Sequence, residues 1–134
     1  MEPTIAWYLR MSVIYFVAGA VIGFIMILSP DSAGHYISVH AHFNLLGFMS
    51  MMIYGVGYHI LPKFSGRQMY SPLIMRIQFW VANAGLLGMA LGWPLRSRGD
   101  VLNLAGPVLI IASLLSLLAV VLFAFNMLKT IKSV

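Results

Sequence analysis

Two histidines, His40 and His42, lie two residues apart in a segment that is otherwise hydrophobic enough to cross a bilayer. Ionisable side chains are rare at such depth, and those that occur face a bundle interior, a cavity or a cofactor. We therefore expect a binding site at this pair, with iron as the leading partner. His35 and His59 each stand alone and are expected to be hydrogen-bonded packing residues.

Helical geometry separates the two imidazoles. Residues two apart in an α-helix differ by about 200° in direction and by about 3 Å in height. His40 and His42 therefore point to opposite faces and cannot both bind one metal ion. An i, i+4 pair in a zinc protease, by contrast, binds one ion from a single helix face. The spacing implies two different sites or two different partners.

Composition places these residues in a membrane. Hydrophobic residues make up 61% of the 134-residue chain and charged residues only 8%, which excludes an ordinary soluble domain. The net charge of +5 does not indicate nucleic acid, since the basic residues fall at predicted helix ends, where they face lipid headgroups. The chain has no cysteine, which excludes a thiolate zinc site, an iron–sulfur cluster and a covalently attached c-type haem.

Four hydrophobic stretches are long enough to span a bilayer as helices of about 20 residues. Turn residues separate them at 29–34, 62–67 and 96–100. Only helices satisfy the backbone across lipid in so short a chain, so we predict an all-α membrane protein with one transmembrane domain. Its four helices are expected at about 5–28, 36–61, 73–95 and 101–128.

The basic residues predict the orientation of these helices, because cytoplasmic loops of membrane proteins carry an excess of Lys and Arg. Only Arg96 and Arg98 fall on one side of the predicted membrane. The other side carries Arg10, Lys63, Arg67, Arg76, Lys129 and Lys132. We expect both termini in the cytoplasm and the histidine pair just inside the outer face of a bacterial or archaeal cytoplasmic membrane. Tyr54 and Tyr58 are expected in the aromatic belt on the cytoplasmic side.

The segment around the pair resembles one helix of a known family, the catalytic subunit of haem-copper oxidases and nitric oxide reductases. In the C-type oxidases and the nitric oxide reductases, the tenth helix carries a His-x-His followed by a Gly, then a Tyr and a Pro near the cytoplasmic end. These positions are His40, His42, Gly47, Tyr58 and Pro62 here. The resemblance implies that His40 binds a high-spin haem iron and His42 a low-spin haem iron, from opposite faces of the helix.

The resemblance extends to the turn after the following helix, where the oxidases hold haem propionates with a pair of arginines. Arg96 and Arg98 occupy that turn, and an anionic partner would account for two bases on the outer side. Interfacial anchoring is the alternative for both arginines. Asn44 follows His40 by four residues and shares its face, so it either orients the imidazole, contacts a haem edge or packs against another helix.

The family fold has twelve helices in three arcs of four, and this chain has the size of one arc. A homotrimer would rebuild the ring, with one His40 and one His42 from different subunits in each cavity, enough to ligate a b-type haem on both axial positions. The chain lacks the further histidines that bind copper or non-haem iron in the family. We therefore expect neither copper nor the reduction of oxygen to water.

We expect an integral membrane b-type haem-binding protein, with His40 and His42 as iron ligands and Arg96, Arg98 and Asn44 as haem contacts. It would transfer electrons if both axial positions are filled, or bind nitric oxide or oxygen if one is open. The alternatives are a haem-handling or assembly protein and a haem-free interaction subunit, associated with a respiratory oxidase. The expected partners are the bilayer, further copies of the chain, and a redox partner or oxidase subunit, but no nucleic acid.

Overall fold

Helices make up nearly all of the protein in its computed structural model, which describes residues 1–131. Five α-helices and one π-helical segment occur within these residues, and no strand does. They are α1 (Pro3–Leu28), α2 (Pro30–His42), the π segment (Phe43–Ser50), α3 (Met51–Phe64), α4 (Pro72–Ser97) and α5 (Ala105–Thr130). Lys132, which entered the prediction of orientation, lies outside the described residues.

The second spanning helix is continuous from Pro30 to Phe64 and consists of α2, the π segment and α3. With α1, α4 and α5 it gives four helices, in the described part of the chain, that are long and apolar enough to cross a membrane. Many large apolar side chains on these helices are exposed, which fits helices surrounded by lipid. The all-helical, four-span prediction is therefore confirmed, and these helices indicate an integral membrane protein.

The second spanning helix begins at Pro30, well before the predicted start near 36, so the loop expected at 29–34 is wrong. Proline is favoured in the first turn of a helix, because the N–H that it lacks would have no helical partner there. Asp31 adds a negative charge in the same turn, which the helix dipole favours. The Ser-Pro-Asp run therefore begins a helix, and Ser29 alone separates α1 from α2.

The fourth spanning helix, α5, begins at Ala105 and not near 101, with Leu104 as its N-cap residue. The carboxylate oxygens of Asp100 accept hydrogen bonds from the backbone N–H groups of Leu104 at 2.9 Å and Ala105 at 2.7 Å. The first N–H groups of a helix have no carbonyl partner within it, so Asp100 satisfies the one of Ala105 and also holds the N–H of the N-cap residue Leu104. The residues from 101 to 104 form a turn outside the helix.

Glycines bring the helices close together at two places. On α4, a Cβ added to Gly85 would lie 2.9 Å from the backbone oxygen of Ala112 in α5, and one added to Gly88 would lie 2.8 Å from the Cβ of Ala112. On α1, Gly19 and Gly23 lie against side chains of the second spanning helix. Small residues at this spacing let helix backbones approach closely in lipid.

The buried core at the Pro3 end of the bundle is built on tyrosines. The hydroxyl of Tyr8 donates to the backbone oxygen of Met75 at 2.9 Å, and the hydroxyl of Tyr58 donates to Oε1 of Gln78. Tyr54 packs in the same core and is only 6% exposed. The interfacial aromatic belt predicted for Tyr54 and Tyr58 is therefore wrong, because this face of α3 packs against α1 and α5.

The π segment interrupts the regular α-helix in the middle of the second spanning helix. Ser50 supports its wider turn, since its Oγ donates to the backbone oxygen of Leu45, five residues earlier, at 2.9 Å. Gly47 permits the contact with α1, because an added Cβ would lie 2.6 Å from the Cβ of Tyr15. Segments of this kind are uncommon and frequently occur at functional sites. The helix predicted over 36–61 is thus regular only before and after the segment.

Candidate functional site

His42 is the last residue of α2, and its imidazole is hydrogen-bonded within its own helix. Nδ1 of His42 donates to the backbone oxygen of Ser38, four residues earlier, at 2.6 Å. A carbonyl oxygen can only accept, so the proton of the neutral imidazole lies on Nδ1 and Nε2 keeps its lone pair. Within residues 1–131, Nε2 has no hydrogen-bond partner. This is the arrangement found in histidines that bind a metal through Nε2.

The side chain of His42 lines a cleft of about 370 Å³ between the end of α2 and the pair α4 and α5. We call it the His42 cleft. Its other lining residues are Met89, Trp93, Arg96, Gly106, Leu109, Ile110 and Ser113. The walls are mostly apolar with a few polar groups, which is typical of cofactor and ligand sites of this volume.

A second cleft of about 360 Å³ adjoins the first and shares Trp93 and Arg96 with it. We call it the His35 cleft, because His35 lines it and lies 2.9 Å, Nδ1 to Oγ, from Ser97. Arg96 is the one residue with a permanent charge among the residues that line either cleft. The pair of clefts therefore offers a positive group beside the free Nε2 of His42 and favours an anionic ligand.

Trp93 contributes an unused hydrogen-bond donor to this region. Its Nε1 is buried and has no hydrogen-bond partner in the described part of the chain. Its ring lies beside that of His42, with 6.3 Å between the centroids. Indole N–H groups usually find a partner when they are buried, so this donor is suited to a ligand oxygen.

Arg98 does not share the clefts with Arg96. Its guanidinium donates to the hydroxyl of Tyr36, and its Cζ lies 5.2 Å from the centre of the Tyr36 ring. This contact joins the end of α4 to the middle of α2. The two arginines predicted to act as a pair therefore have different surroundings, with only Arg96 beside His42.

His40 faces a different helix from His42. Its Nδ1 donates to the backbone oxygen of Gly19 in α1 at 2.8 Å, which again leaves the lone pair on Nε2. The ring lies over Gly23, since a Cβ added there would be 2.8 Å from Cε1 of His40. The two imidazoles thus lie against different helices, and one chain does not bring both to the same cleft.

Asn44 lies with His40 on the α1 side. Its Nδ2 donates to the backbone oxygen of His40 at 2.8 Å, and a Cβ added to Gly19 would lie 2.7 Å from the same Nδ2. Asn44 is not among the residues that line the His42 cleft. The groove formed by Gly19 and Gly23 therefore receives the polar face that Asn44 and His40 share.

The remaining histidine on a spanning helix, His59, is near the opposite end from the pair. Its Nε2 accepts a hydrogen bond from Nζ of Lys63 at 3.0 Å, which occupies the atom that would bind a metal. No cluster of three or more His, Cys, Asp or Glu side chains that could hold a metal ion occurs among residues 1–131. A metal at His42 would therefore need ligands from a cofactor or from another chain.

Six of the residues that line the His42 cleft were not predicted from the sequence, and two of these six, Trp93 and Met89, belong to α4. Both lie on α4 at helical spacing from Arg96, three and seven residues before it, so they share its face. Once Arg96 was chosen as a site residue, this spacing could have identified both residues from the sequence. Trp93 matters more, because it carries the unpaired donor.

Comparison with known proteins assigns no function to the residues of the site. Neither a protein-family model, nor a curated protein, nor a solved structure matches the chain. The resemblance to the haem-copper oxidases and nitric oxide reductases therefore rests on His40, His42, Gly47, Tyr58 and Pro62 and on the arginine turn alone.

Proposed function

We propose that the protein is an integral membrane b-type haem-binding protein in which His42 would bind the haem iron and Arg96 would bind a propionate. The observation that carries this proposal is the free Nε2 of His42 in a cleft that also contains Arg96. Haem b supplies one-electron chemistry and, where an axial position is open, binding of a diatomic gas.

The residues of the cleft fit such a group. The hydrogen bond from His42 to Ser38 would hold the imidazole in the required tautomer and orientation. Apolar side chains such as those of Met89, Leu109 and Ile110 suit the faces and edges of a porphyrin. The buried Nε1 of Trp93 would donate to a carboxylate oxygen beside Arg96. The donors in the cleft thus suit haem, and no copper is part of the proposal.

The second half of the proposal is a homotrimer built from arcs like those of the oxidase ring. It is supported by the free Nε2 atoms of His40 and His42, which belong to imidazoles lying against different helices. The α1–α2 surface at Gly23 of one copy would have to meet the His42 cleft of the next. Two imidazoles on one iron favour electron transfer, whereas His42 alone favours binding of nitric oxide or oxygen.

We also propose that both termini are cytoplasmic and that the His42 cleft opens towards the outer side of a bacterial or archaeal cytoplasmic membrane. Arg96 and Arg98 lie at the end of α4. Five of the other basic residues lie near the opposite ends of the spanning helices. These are Arg10, Lys63, Arg67, Arg76 and Lys129.

One observation favours the alternative of a haem-free interaction subunit. His40 is hydrogen-bonded to Gly19 and packed on Gly23, so its contacts within the chain are sufficient for a structural role. A haem-handling protein associated with an oxidase is favoured instead by the open form of the His42 cleft, from which haem could exchange.

The optical spectrum of the protein, purified from haem-replete cells and recorded oxidised, reduced, and reduced with carbon monoxide, tests these functions. Sharp reduced bands that carbon monoxide does not change are expected for two axial imidazoles, and a shifted Soret band is expected for an open position. A haem content that falls during passage over an apo-haemoprotein indicates transient handling. A colourless protein that stays folded rejects haem binding and leaves the interaction subunit.

A further inference from the structure

The His35 cleft differs from the adjoining His42 cleft in the side chains that line it. Besides Trp93 and Arg96, which line both clefts, its lining residues are Gly34, His35, Ser38 and Ser97. Three of these four carry a polar side chain, whereas Leu109 and Ile110 line the His42 cleft. The His35 cleft therefore suits a small polar group, and the His42 cleft suits an apolar body.

Arg96 brings a positive charge to this cleft, and no acidic residue among 1–131 pairs with it. The ion pair within these residues joins Arg76 to Glu2, at the opposite end of α4. Asp100 is the acidic residue nearest to Arg96 along the chain, and its carboxylate oxygens accept hydrogen bonds from the start of α5. A guanidinium has five N–H donors, so Arg96 can hold acidic groups in both clefts at once.

His35 contributes a second group that can bind an acid. Oγ of Ser97 donates to the backbone oxygen of Pro94 at 3.2 Å, so its one proton is already used. Nδ1 of His35, which lies 2.9 Å from the same Oγ, must therefore donate to it. Nε2 of His35 is then the nitrogen that can share a proton with an acid, since it either accepts from the neutral acid or donates to its anion.

The position of the cleft along the helices corresponds to the level of lipid headgroups. The 26 residues of α4 extend over about 39 Å, which exceeds the hydrocarbon thickness of about 30 Å. Arg96 and Ser97 are the last two residues of α4, and His35 lies about 8 Å along α2 from Pro30. Acidic groups of membrane-bound molecules are therefore available at this depth.

We infer that the His35 cleft binds an acidic oxygen group, a carboxylate or a phosphate, between Arg96 and Nε2 of His35. Gly34 leaves room for it, since a Cβ added there would meet nothing within 4 Å. Two molecules carry such a group to this place. One is haem in the His42 cleft, whose second propionate would pass the shared Arg96, and this source rests on the proposed function. The other is a phospholipid, through its headgroup phosphate, and this source does not.

The phosphate source is tested on the haem-free full chain in detergent, supplied with phosphatidylglycerol or with diacylglycerol of the same acyl chains. Native mass spectrometry counts the lipids that each protein retains. His35→Leu removes the nitrogen that shares the proton, and Gly34→Leu fills the cleft. His59→Leu is the control, since Nε2 of His59 binds Lys63. If a phosphate occupies the cleft, the native protein and the control retain one more phosphatidylglycerol than the two cleft variants, and no more diacylglycerol.

The propionate source is tested by titrating the same proteins with haem and with its dimethyl ester, which has no acidic group. If a propionate occupies the cleft, His35→Leu lowers the affinity for haem about tenfold or more, as expected for a hydrogen bond to a charged group. The same variant leaves the affinity for the ester unchanged. Gly34→Leu lowers the affinity for haem as well, and His59→Leu does not. Equal losses for haem and ester indicate a packing effect and count against this source.

The two measurements separate this inference from the proposed function. A native protein that binds no haem rejects the proposed function, and the lipid count then decides the inference alone. A lower count of phosphatidylglycerol in both cleft variants, or a loss of affinity for haem but not for its ester, supports an acid site in the His35 cleft. Cleft variants that match the native protein in lipid count and show no loss specific to haem overturn the inference.

Discussion

The backbone oxygen of Gly19 in α1 accepts a hydrogen bond from Nδ1 of His40 in α2 at 2.8 Å. The contact joins the first two spanning helices, and it is possible because Gly23, one turn later on α1, leaves room for the imidazole. The hydrogen bond fixes both the tautomer and the direction of His40. The same groove on α1 therefore serves helix packing and orients a proposed iron ligand.

Replacement of Gly23 by alanine tests this packing. The added Cβ would lie 2.8 Å from Cε1 of His40, so the ring or the helix must shift. We expect Gly23→Ala to lower the free energy of unfolding by about 1–3 kcal/mol, as overpacking does. Gly34→Ala in α2 is the control, since a Cβ at Gly34 meets nothing within 4 Å. Equal stability of the two variants in a steric-trapping measurement would show that His40 does not occupy the groove.

Replacement of His42 by alanine tests the iron ligand. Because Nε2 of His42 is the free imidazole nitrogen of the cleft, we expect His42→Ala to lower the ratio of haem to protein by about tenfold or more. His59→Ala is the control, since Lys63 already occupies Nε2 of His59. The ratio is measured as the pyridine haemochrome per purified chain. Full haem loading of His42→Ala would contradict the assignment.

Replacement of His40 by alanine separates the two coordination states. If a second copy supplies His40 to the same iron, His40→Ala lowers haem content, and the haem that remains binds carbon monoxide. The native protein would not bind it, since both axial positions would be filled. Spectra with and without carbon monoxide, together with the mass of the assembly by light scattering, give the result. A monomer with two axial imidazoles would contradict the homotrimer.

Arg96 and Arg98 are expected to differ in their effect on haem retention. Arg96 lines the cleft of His42, whereas the guanidinium of Arg98 is already bound to Tyr36. We expect Arg96→Gln to weaken haem retention by about 1.5–3 kcal/mol, the range for a hydrogen bond to a charged group. Arg98→Gln should change it much less. Rates of haem transfer to an apo-haemoprotein give the comparison, and a larger effect at Arg98 would argue against the proposed propionate contact.

The donor of Trp93 offers a test that separates binding from folding. Its Nε1 is buried without a partner, so Trp93→Phe should leave the apoprotein as stable as the native chain or more stable. If Nε1 donates to a carboxylate of the ligand, the same change weakens haem retention severalfold. Unfolding and haem transfer are measured on the same samples. An apoprotein that loses stability would instead indicate that Trp93 acts through packing.

Part of the site could be predicted because it depends on local geometry. His40 and His42 both lie in the regular α2, so a spacing of two residues was enough to predict opposite directions. Their partners could not be predicted, since Gly19 lies 21 residues from His40 along the chain and Trp93 lies 51 residues from His42. The different surroundings of Arg96 and Arg98 could not be predicted either, because the contact of Arg98 depends on where Tyr36 lies in the folded chain.

The sequence by itself determined the class of the protein, the four spanning helices and the presence of two imidazoles on one helix, because hydrophobic length and helical periodicity act over short distances along the chain. Tertiary structure alone decided that a π segment interrupts the second span and that Tyr54 and Tyr58 are buried. It also decided that the His42 cleft contains Arg96 and Trp93. These features depend on contacts between helices, where close glycine packing and aromatic contacts outweigh local preference.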